Sequence, residues 1–584
     1  DIITGTGGTI DLLATGSTIT FATDADQTSG SGDIRFSAAG NITLGGVTTT
    51  SGNVSLISAS GSIIDGDSDA STDVVASGLR ATAIGFGSLA NPIESDLDQF
   101  AAVATTGGIF LDDSGALTVG TVETTISRVA ADAGFSPITD SDLTGAITAT
   151  GDIILTAAGD MTLETVQTAE NVILTSTAGA ILDGGDDATD VIANDLILIA
   201  ETGIGQNGSA ALDVDIDTLT VTNNGIGSAF LTLLSTTTIN GVDLIGAGSL
   251  YATQTTGNLI LDGAVNASNG RANLTTPGAL AINASVSATD GLRAVADSLD
   301  VNAAAITVSE GDLELRVRNN ADMDATSSLE ATLGNIKILV GGTLNTAEMT
   351  AGAELNLRVR GDILRNAGLL SAVGLKIASA NGQIGVGEAD PILTDVDRFD
   401  TTAAGEIFVS EANDLEFGRS GIAGGAENPG EVVNLQFGNG TITSVDDSTE
   451  FSGQGTLDIN ASEDLTLGTR ITASNGDIDV TTVTLIDGTA TEDNLLEAPN
   501  GRVAIAASGD VGSPGVLDIN LAAQELTVNS SSGSIGLEIT DTTTIVGDGI
   551  TIDSGSGDLV INQTSGSLFL NADLAHFGSG GVDF

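Results

Sequence analysis

One short phrase recurs along this chain and limits what the chain can fold into. The phrase is a run of alternating apolar and polar residues that is closed by glycine. Ile34 returns as Val54, and Ile42 returns as Ile63, each about 20 residues further along the chain. Two strands and their turns would therefore complete one circuit before the pattern returns. Because side chains alternate between the two faces of a strand, each circuit would point one row inward.

The phrase returns in a second block, so the sequence contains an internal duplication of residues 32–66 with residues 151–184. Ile153 returns there as Val172, and Met161 returns as Ile181, at nearly the same interval as in the first block. Glycine and asparagine accept the positive φ angles of tight corners. Stacked circuits of this kind predict an all-β fold, a right-handed parallel β-helix (β-solenoid) with about 20 residues per coil and about 29 coils.

The composition is uniform from end to end, which favours one elongated β-solenoid over residues 1–584 rather than several globular domains. Glycine contributes 77 residues and proline only 7, and tryptophan is absent. The apolar residues are mostly Ile, Leu, Val and Ala, so the core is expected to be narrow and aliphatic.

One segment that could be a capped helix, and three segments related to it, are better explained as strands. Residues 91–100 contain a proline near their start, as a capped helix would, yet the related segments at 212–219, 395–399 and 517–521 alternate like strands. We therefore predict a strand in each segment. A β-bulge is expected where the apolar parity switches, for example between Val396 and Phe399.

The formal charge of −62 limits the partners of the chain. Nucleic acid and anionic membranes would be repelled by most of the surface, whereas cations would be attracted. The chain has no cysteine and one histidine, His576, which excludes thiolate and histidine-based metal sites. Its apolar runs are shorter than the roughly 18 residues of a membrane helix, so we expect it not to span a membrane.

Acidic clusters occupy matching turns of the two duplicated blocks. Carboxylate oxygens at alternating positions suit a hard cation such as Ca²⁺. The alternative is a solvated acidic loop without a bound ion, and no cofactor is required by the sequence. If cations bind, millimolar Ca²⁺ should raise the melting temperature more than Na⁺ does at equal ionic strength. The candidate ligands are Asp65, Asp67, Asp69, Asp73, Asp183, Asp186, Asp187 and Asp190.

Basic residues are concentrated in the coils of residues 313–378. Arg316, Lys337, Arg358 and Lys376 recur about once per coil, each flanked by aliphatic residues. If the aliphatic neighbours point inward, the four form an outward basic ladder, with Arg318 and Arg360 two positions further on the same face. This ladder either pairs with the carboxylates of the chain, such as Glu314, or docks an acidic neighbouring solenoid or an anionic polysaccharide.

The phrases Gly-x-Ile-x-Leu-x-Ala, Gly-x-Ile-Ile-Asp-Gly, and Ile-Gly followed by Asn-Pro-Ile or Asp-Pro-Ile resemble the repeats of filamentous-haemagglutinin-like bacterial exoproteins. The resemblance covers most of the chain. It implies a right-handed β-helix that folds outside the bacterial cell and serves adhesion, biofilm formation or contact-dependent killing. The expected location is therefore the bacterial cell surface.

The sequence favours a structural role over catalysis. Without tryptophan and with a single tyrosine, the chain has few side chains that could stack on sugar rings. Its coils are also expected to be short, whereas catalytic sites commonly interrupt a repeat with long loops. We expect the shaft of a surface filament or large adhesin, which associates with its own copies, end to end or laterally, or with other cell-surface components. The alternative is a calcium-dependent polysaccharide-binding or polysaccharide-degrading β-helix protein.

Overall fold

The computed structural model describes residues 2–23, 25–67, 70–129, 134–185, 187–424, 428, 430–437, 440–444, 448–489, 495–513 and 518–584. Across these residues the chain is all-β, without a helix, and its parallel strands stack into a β-solenoid with about 22 residues per turn. The predicted fold class is thus confirmed. A helix long and apolar enough to cross a membrane is not found in the described part of the chain.

The solenoid divides into two compact units, residues 1–296 and 297–584. The prediction of one continuous body stays a prediction. The first unit contains strands β1 to β32, in chain order Ile2–Ile3, Ile10–Ala14, Ile19–Thr20, Gln27–Ser29, Ile34–Ala38, Ile42–Thr43, Val47–Thr49, Asn53–Ser58, Ile63–Ile64, Val74–Ala83, Ile93–Ala104, Ile109–Asp113, Leu117–Val119, Thr121–Val129, Phe135–Thr144, Ala146–Thr148, Ile153–Ala157, Met161–Leu163, Val166–Gln167, Asn171–Ser176, Ile181–Asp183, Val191–Ala200, Leu212–Asn223, Ala229–Leu233, Thr237–Leu244, Leu250–Gln254, Leu259–Leu261, Val265–Ala267, Arg271–Thr275, Ala279–Ile282, Val286–Ala288 and Gly291–Ala296.

The second unit contains the remaining strands of the described chain. They are β33 to β62, in chain order Ser298–Val301, Ala305–Val308, Asp312–Val317, Ala321–Met323, Ser328–Ala331, Ile336–Val340, Leu344–Thr346, Glu348–Ala351, Glu354–Val359, Ile363–Arg365, Leu370–Ser379, Ile392–Ala403, Ile407–Glu411, Leu415–Gly424, Val432–Phe437, Gly440–Ser444, Ser448–Phe451, Thr456–Ala461, Leu465–Leu467, Arg470–Ala473, Asp477–Thr482, Leu485–Asp487, Leu496–Ala507, Ile519–Ser530, Ile535–Ile539, Thr543–Ile552, Leu559–Gln563, Leu568–Leu570, Leu574–His576 and Val582–Asp583.

The core is a set of aliphatic ladders that run from coil to coil. Ile153, Val172, Leu196 and Leu219 are register partners in four successive coils, and each side chain is buried. Removing such a side chain from water stabilises the fold by about 1.5–3 kcal/mol. Repetition of this contribution along the ladders favours the stacked arrangement.

Coil length varies more than the sequence pattern indicates. Ile34 has Val54 as its register partner, and Val54 in turn has Leu79, so the second of these coils is longer than the first. Loops at the corners, such as the one between β9 and β10, account for the longer coils. The solenoid consequently has about 25 turns instead of the 29 expected.

The segment of residues 91–100 and its three related segments contribute to strands, as predicted, and they form parts of β11, β23, β44 and β56. Residue 517 of the last segment lies outside the described residues. In β44 both Val396 and Phe399 are buried, and the two residues between them point outward. The change in which alternate residues point inward occurs without a register shift against β43. The pairing of β44 with β43 keeps the same residue spacing before and after the change. A register shift does occur against β46, between Phe399 and Thr401.

An antiparallel hairpin formed by β14 and β15 interrupts the stack in the first unit. Its strand β14 crosses three earlier coils: Ser127 N–H donates to Thr9 Oγ1, Thr125 N–H to Asp33 Oδ2, and the Asn53 side chain to the Glu123 carbonyl oxygen. The side chains of Val122 and Ile126, which belong to β14, are buried. The expectation that every coil stays short is therefore wrong here.

Candidate cation site and charged surfaces

One corner of the first unit brings three carboxylates together from two consecutive coils. Asp65 directly follows β9, and Asp73 directly precedes β10, so the two aspartates lie at the ends of one loop. Glu94 belongs to β11, the next strand in the stack. Asp73 N–H donates to the Glu94 carbonyl oxygen at 3.0 Å, and Glu94 N–H donates to Asp73 Oδ2 at 3.2 Å. These two bonds fix Glu94 beside Asp73.

The three side chains are close enough to share one ligand. Each offers an oxygen that lies within 4.8 Å of the others, and no other three acidic or histidine side chains of the described residues are so grouped. Asp65 is 5% exposed and Asp73 is 3% exposed, while Glu94 is half-buried. Asp65 Oδ1 accepts the N–H of Asp67, but Asp65 Oδ2 and Glu94 Oε2 are buried without a hydrogen-bond partner among the described residues.

The electrostatics of this corner oppose full ionisation. Burial, the charge of Asp65 and the charge of Glu94 raise the pKa of Asp73 to about 8. Burial also raises the pKa of Glu94 and that of Asp112, the register partner of Glu94 in the following coil. Two ionised carboxylates whose oxygens lie within 4.8 Å of each other repel by about 3 kcal/mol or more at an effective dielectric constant of roughly 20. A positive charge at this position would relieve that repulsion.

The structure brings together some of the predicted cation ligands and separates others. Asp65 and Asp73 meet in the corner, whereas Asp67 is half-buried and contributes its N–H to the turn. Asp69 lies outside the described residues. Glu94 was not predicted, although it follows Asn91-Pro92-Ile93, the phrase that starts the next strand.

The duplicated block builds a similar corner from the other predicted residues. Asp183 is at the end of β21, and Asp190 directly precedes β22. The N–H of Asp213 donates to Asp190 Oδ2 at 2.7 Å. Asp213 is therefore the equivalent of Glu94 in the first block. Asp183 Oδ2 is likewise buried without a hydrogen-bond partner among the described residues. Asp187 is exposed, and Asp186 lies outside the described residues.

The predicted basic ladder is divided between two columns. Glu314, Lys337, Asn356 and Lys376 are register partners in one column, and Arg316, Leu339, Arg358 and Ala378 are partners in the adjacent one. The expectation of four cations in a single column is therefore wrong.

Uneven coil length explains why the basic residues change column. Leu313 has Ile336 as its register partner, Ile336 has Leu355, and Leu355 has Leu375. These coils differ from one another in length, and their lengths do not follow the spacing of the basic residues. A basic residue one repeat further along the sequence therefore does not always reach the same column.

Most of these basic residues point outward, as predicted, and pair with carboxylates of their own or the preceding coil. Arg316 lies 2.6 Å from Glu314, Lys337 lies 2.5 Å from Asp312, and Lys376 lies 3.5 Å from Glu354. Although partial burial acts in the opposite direction, the hydrogen bond from Lys337 lowers the pKa of Asp312. The remaining members of the predicted stripe also lie at the surface: Arg318 is 3.8 Å from Asp297, Arg358 donates to Asn356, and Arg360 is exposed.

Compared with family models, with curated proteins and with solved structures, the chain matches none of them.

Proposed function

We propose that this chain is a non-catalytic structural β-solenoid that forms the shaft of a filament or large adhesin on the outside of a bacterial cell. In this role the chain supports cell-surface architecture, adhesion or biofilm formation by holding other segments or copies in place. Association with copies of itself or with other cell-surface components follows from such a role.

The observation that carries the proposal is the use of charged side chains to join neighbouring coils. Arg35 lies 3.4 Å from Asp11, its register partner in the preceding coil. Arg502 lies 2.8 Å from Asp479 of the preceding coil, and Lys337 reaches back to Asp312. Charged side chains that join neighbouring coils support a mechanical role of the protein better than a role in ligand recognition.

The regular stacking permits a direct test by deletion. Leu313, Ile336 and Leu355 occupy equivalent positions in three successive coils. Deleting residues 313–354 in the producing cell therefore removes two whole turns and joins equivalent positions. We expect the shortened protein to fold, to reach the cell surface and to support attachment at the wild-type level, measured by surface labelling and by binding of cells to their substrate.

The matched control is a deletion of residues 313–343, which joins the start of β35 to Leu344 at the start of β39. These strands belong to different faces, since β39 pairs with β36 and β42. That variant should be misfolded and degraded. If the two-turn deletion is folded and displayed but attachment is lost, the removed coils contain a binding surface and the shaft proposal is wrong.

A further inference from the structure

We propose that Asp65, Asp73 and Glu94 bind one calcium ion that joins two consecutive coils of the first unit. This site is independent of the shaft proposal, because it concerns the local chemistry of one corner and not the location of the protein. The ion would contact both ends of the loop between β9 and β10 and, through Glu94, the strand of the next coil.

A buried carboxylate oxygen without a hydrogen-bond partner in the described part of the chain, and not the number of acidic residues, points to a bound cation at this corner. While Asp73 is ionised, Oδ2 of Asp65 accepts no hydrogen bond from the described residues, although Asp65 is only 5% exposed. Ionised carboxylate oxygens can only accept hydrogen bonds, and one proton shared between two carboxyl groups leaves the third unsatisfied. A cation is the partner that satisfies all three oxygens at once, and an unpaired buried polar atom otherwise destabilises the fold.

The ligand set favours calcium over other biological cations. All three ligands are oxygens, which excludes the nitrogen and sulfur ligands preferred by zinc. Calcium binds oxygens at about 2.3–2.6 Å in irregular geometry, so two of its ligands can be about 4.8 Å apart. The carboxylate oxygens of Asp65, Asp73 and Glu94 lie within 4.8 Å of one another and so could contact the same calcium ion. Magnesium requires near-ideal octahedral geometry at about 2.0–2.1 Å and keeps several waters.

The ion would connect the first end of the loop to the next coil. Asp73 is joined to Glu94 by hydrogen bonds, whereas the Asp65 carboxylate accepts its hydrogen bond from Asp67 in its own loop. A shared ion adds a link from Asp65 to Glu94. Opening of β10 or β11 at this end would then require loss of the ion, and amide exchange there should slow when calcium is present.

The test uses the full chain after removal of divalent cations with a chelator. Calcium binding is measured by isothermal titration calorimetry, and amide exchange is measured by mass spectrometry on peptides that cover β10 and β11. The chain is compared at about 2 mM CaCl₂, above the roughly 10⁻⁴–10⁻³ M range of extracellular calcium modules, with NaCl of equal ionic strength and with MgCl₂. We expect calcium to slow exchange in both strands and magnesium to have a much weaker effect.

Three variants localise the ion. Asp65→Asn and Asp73→Asn should weaken calcium binding by at least about tenfold, because each removes a charged ligand. The asparagine introduced by Asp73→Asn retains an oxygen that can accept the N–H of Glu94, so this variant should fold as the wild type does. Asp217→Asn, at an exposed position of β23, is the control for the loss of one charge and should bind calcium normally.

Two results would overturn the proposal. One is a calcium affinity and exchange pattern of Asp73→Asn and Asp65→Asn equal to those of Asp217→Asn. The other is equal protection of β10 and β11 by Mg²⁺ and Ca²⁺, which would identify general charge screening instead of a calcium site.

Discussion

Thr394 donates its hydroxyl hydrogen to Oε2 of Glu411 at 2.7 Å, and this bond joins buried side chains of two neighbouring coils in the second unit. The other carboxylate oxygen, Oε1, accepts three main-chain N–H groups, from Val396, Ala412 and Asn413. Burial raises the pKa of Glu411 above its ordinary value of 4.5 in spite of these bonds. The carboxyl group of Glu411 thus joins the main chain of this corner by hydrogen bonds, but its burial destabilises the folded state when the group is ionised.

Replacing Glu411 by glutamine should raise the stability of the second unit, relative to wild type, more at pH 7 than at pH 4. Well below pH 4.5 the wild-type carboxyl is neutral in the folded and unfolded states, so its stabilising contribution is complete there. The contribution is lost as the pH rises through the raised folded-state pKa. The introduced glutamine does not titrate, and its amide oxygen can keep the three N–H bonds while its NH₂ reaches the Thr394 hydroxyl. Amide exchange of β44 and β45 at several pH values measures the difference. An unchanged ratio between variant and wild type across pH 4 to 7 would contradict the raised pKa.

Asp113 occupies a similar corner in the first unit but should not tolerate the same change. Its Oδ1 accepts the N–H of Gly115 and its Oδ2 accepts the N–H of Leu97, both at 2.9 Å. In Asp113→Asn, either orientation of the amide turns an NH₂ group toward a main-chain N–H. The loss of that bond in a buried position should destabilise the unit by about 1–3 kcal/mol. Urea unfolding monitored by circular dichroism measures the loss of stability, with Glu411→Gln as the comparison. Equal changes in the free energy of unfolding for the two variants would contradict this prediction.

The alternation of apolar residues was sufficient to predict the parallel solenoid, because burial of one face of each strand determines the register. The sequence repeat places Ile34 and Val54 at equivalent positions of successive coils, and they are register partners in the structure. The same pattern could not give coil length, since loops such as that between Asp65 and Asp73 add residues that carry no periodic signal. The sequence spacing therefore predicts Lys337 beside Arg316, whereas the register partner of Arg316 is Leu339.

Contacts that depend on three-dimensional neighbours were missed for a related reason. Glu94 lies one coil beyond Asp73, and only the observed pairing of β10 with β11 brings them together. The hairpin of β14 and β15 was missed because its alternation resembles that of an ordinary coil. Its antiparallel pairing and its position over earlier coils come from tertiary contacts.

Replacing Arg316, Lys337, Arg358 and Lys376 together by serine should leave self-association and retention on an anionic polysaccharide unchanged. The ion pairs of Arg316, Lys337 and Lys376 are about half exposed, at 51%, 44% and 48% for the basic side chains. Exposed pairs contribute about 0–1 kcal/mol each, so the fold should also survive. Sedimentation velocity and a polysaccharide-bead assay provide the measurements. Reduced association or retention in the folded variant would instead support the docking role of these residues.

Gly248 should not tolerate a side chain. A Cβ atom there would overlap the carbonyl oxygen of Gly227 in the preceding coil, and one at Gly270 would overlap that of Gly248. Gly248→Ala should therefore destabilise the first unit by about 1–3 kcal/mol through displacement of the main chain. Gly16→Ala is the control, because a Cβ at Gly16 meets no described atom within 4 Å. If Gly248→Ala and Gly16→Ala both unfold at the same urea concentration as the wild type, the stacked coils can accommodate a Cβ atom at residue 248 and this prediction is wrong.

Asp140 should be required for the hairpin to pack against the coils beneath it. Its Oδ2 lies 3.0 Å from Nε of Arg35, 3.7 Å from Nη1 of Arg80 and 2.7 Å from Oγ of Ser55. Arg80 is 6% exposed, and burial lowers its pKa while Asp140 acts in the opposite direction. Asp140→Asn would leave the buried guanidinium group of Arg80 without a carboxylate, whereas Arg35 would keep its ion pair with Asp11. Removal of one partner from a buried ion pair costs about 3–5 kcal/mol, so β15 should exchange its amides much faster.

Asp142→Asn is the matched control for Asp140→Asn, because Asp142 is exposed on the same strand of the hairpin. It should leave exchange in β15 unchanged. A double variant that combines Asp140→Asn with Arg80→Met should recover part of the lost protection, since it removes the buried charge that lacks a partner. Equal exchange in the Asp140 and Asp142 variants would mean that Val122 and Ile126 hold the hairpin by apolar burial alone. A double variant less protected than Asp140→Asn would mean that Arg80 contributes through its hydrogen bond to Ser55, at 3.0 Å, and not through its charge.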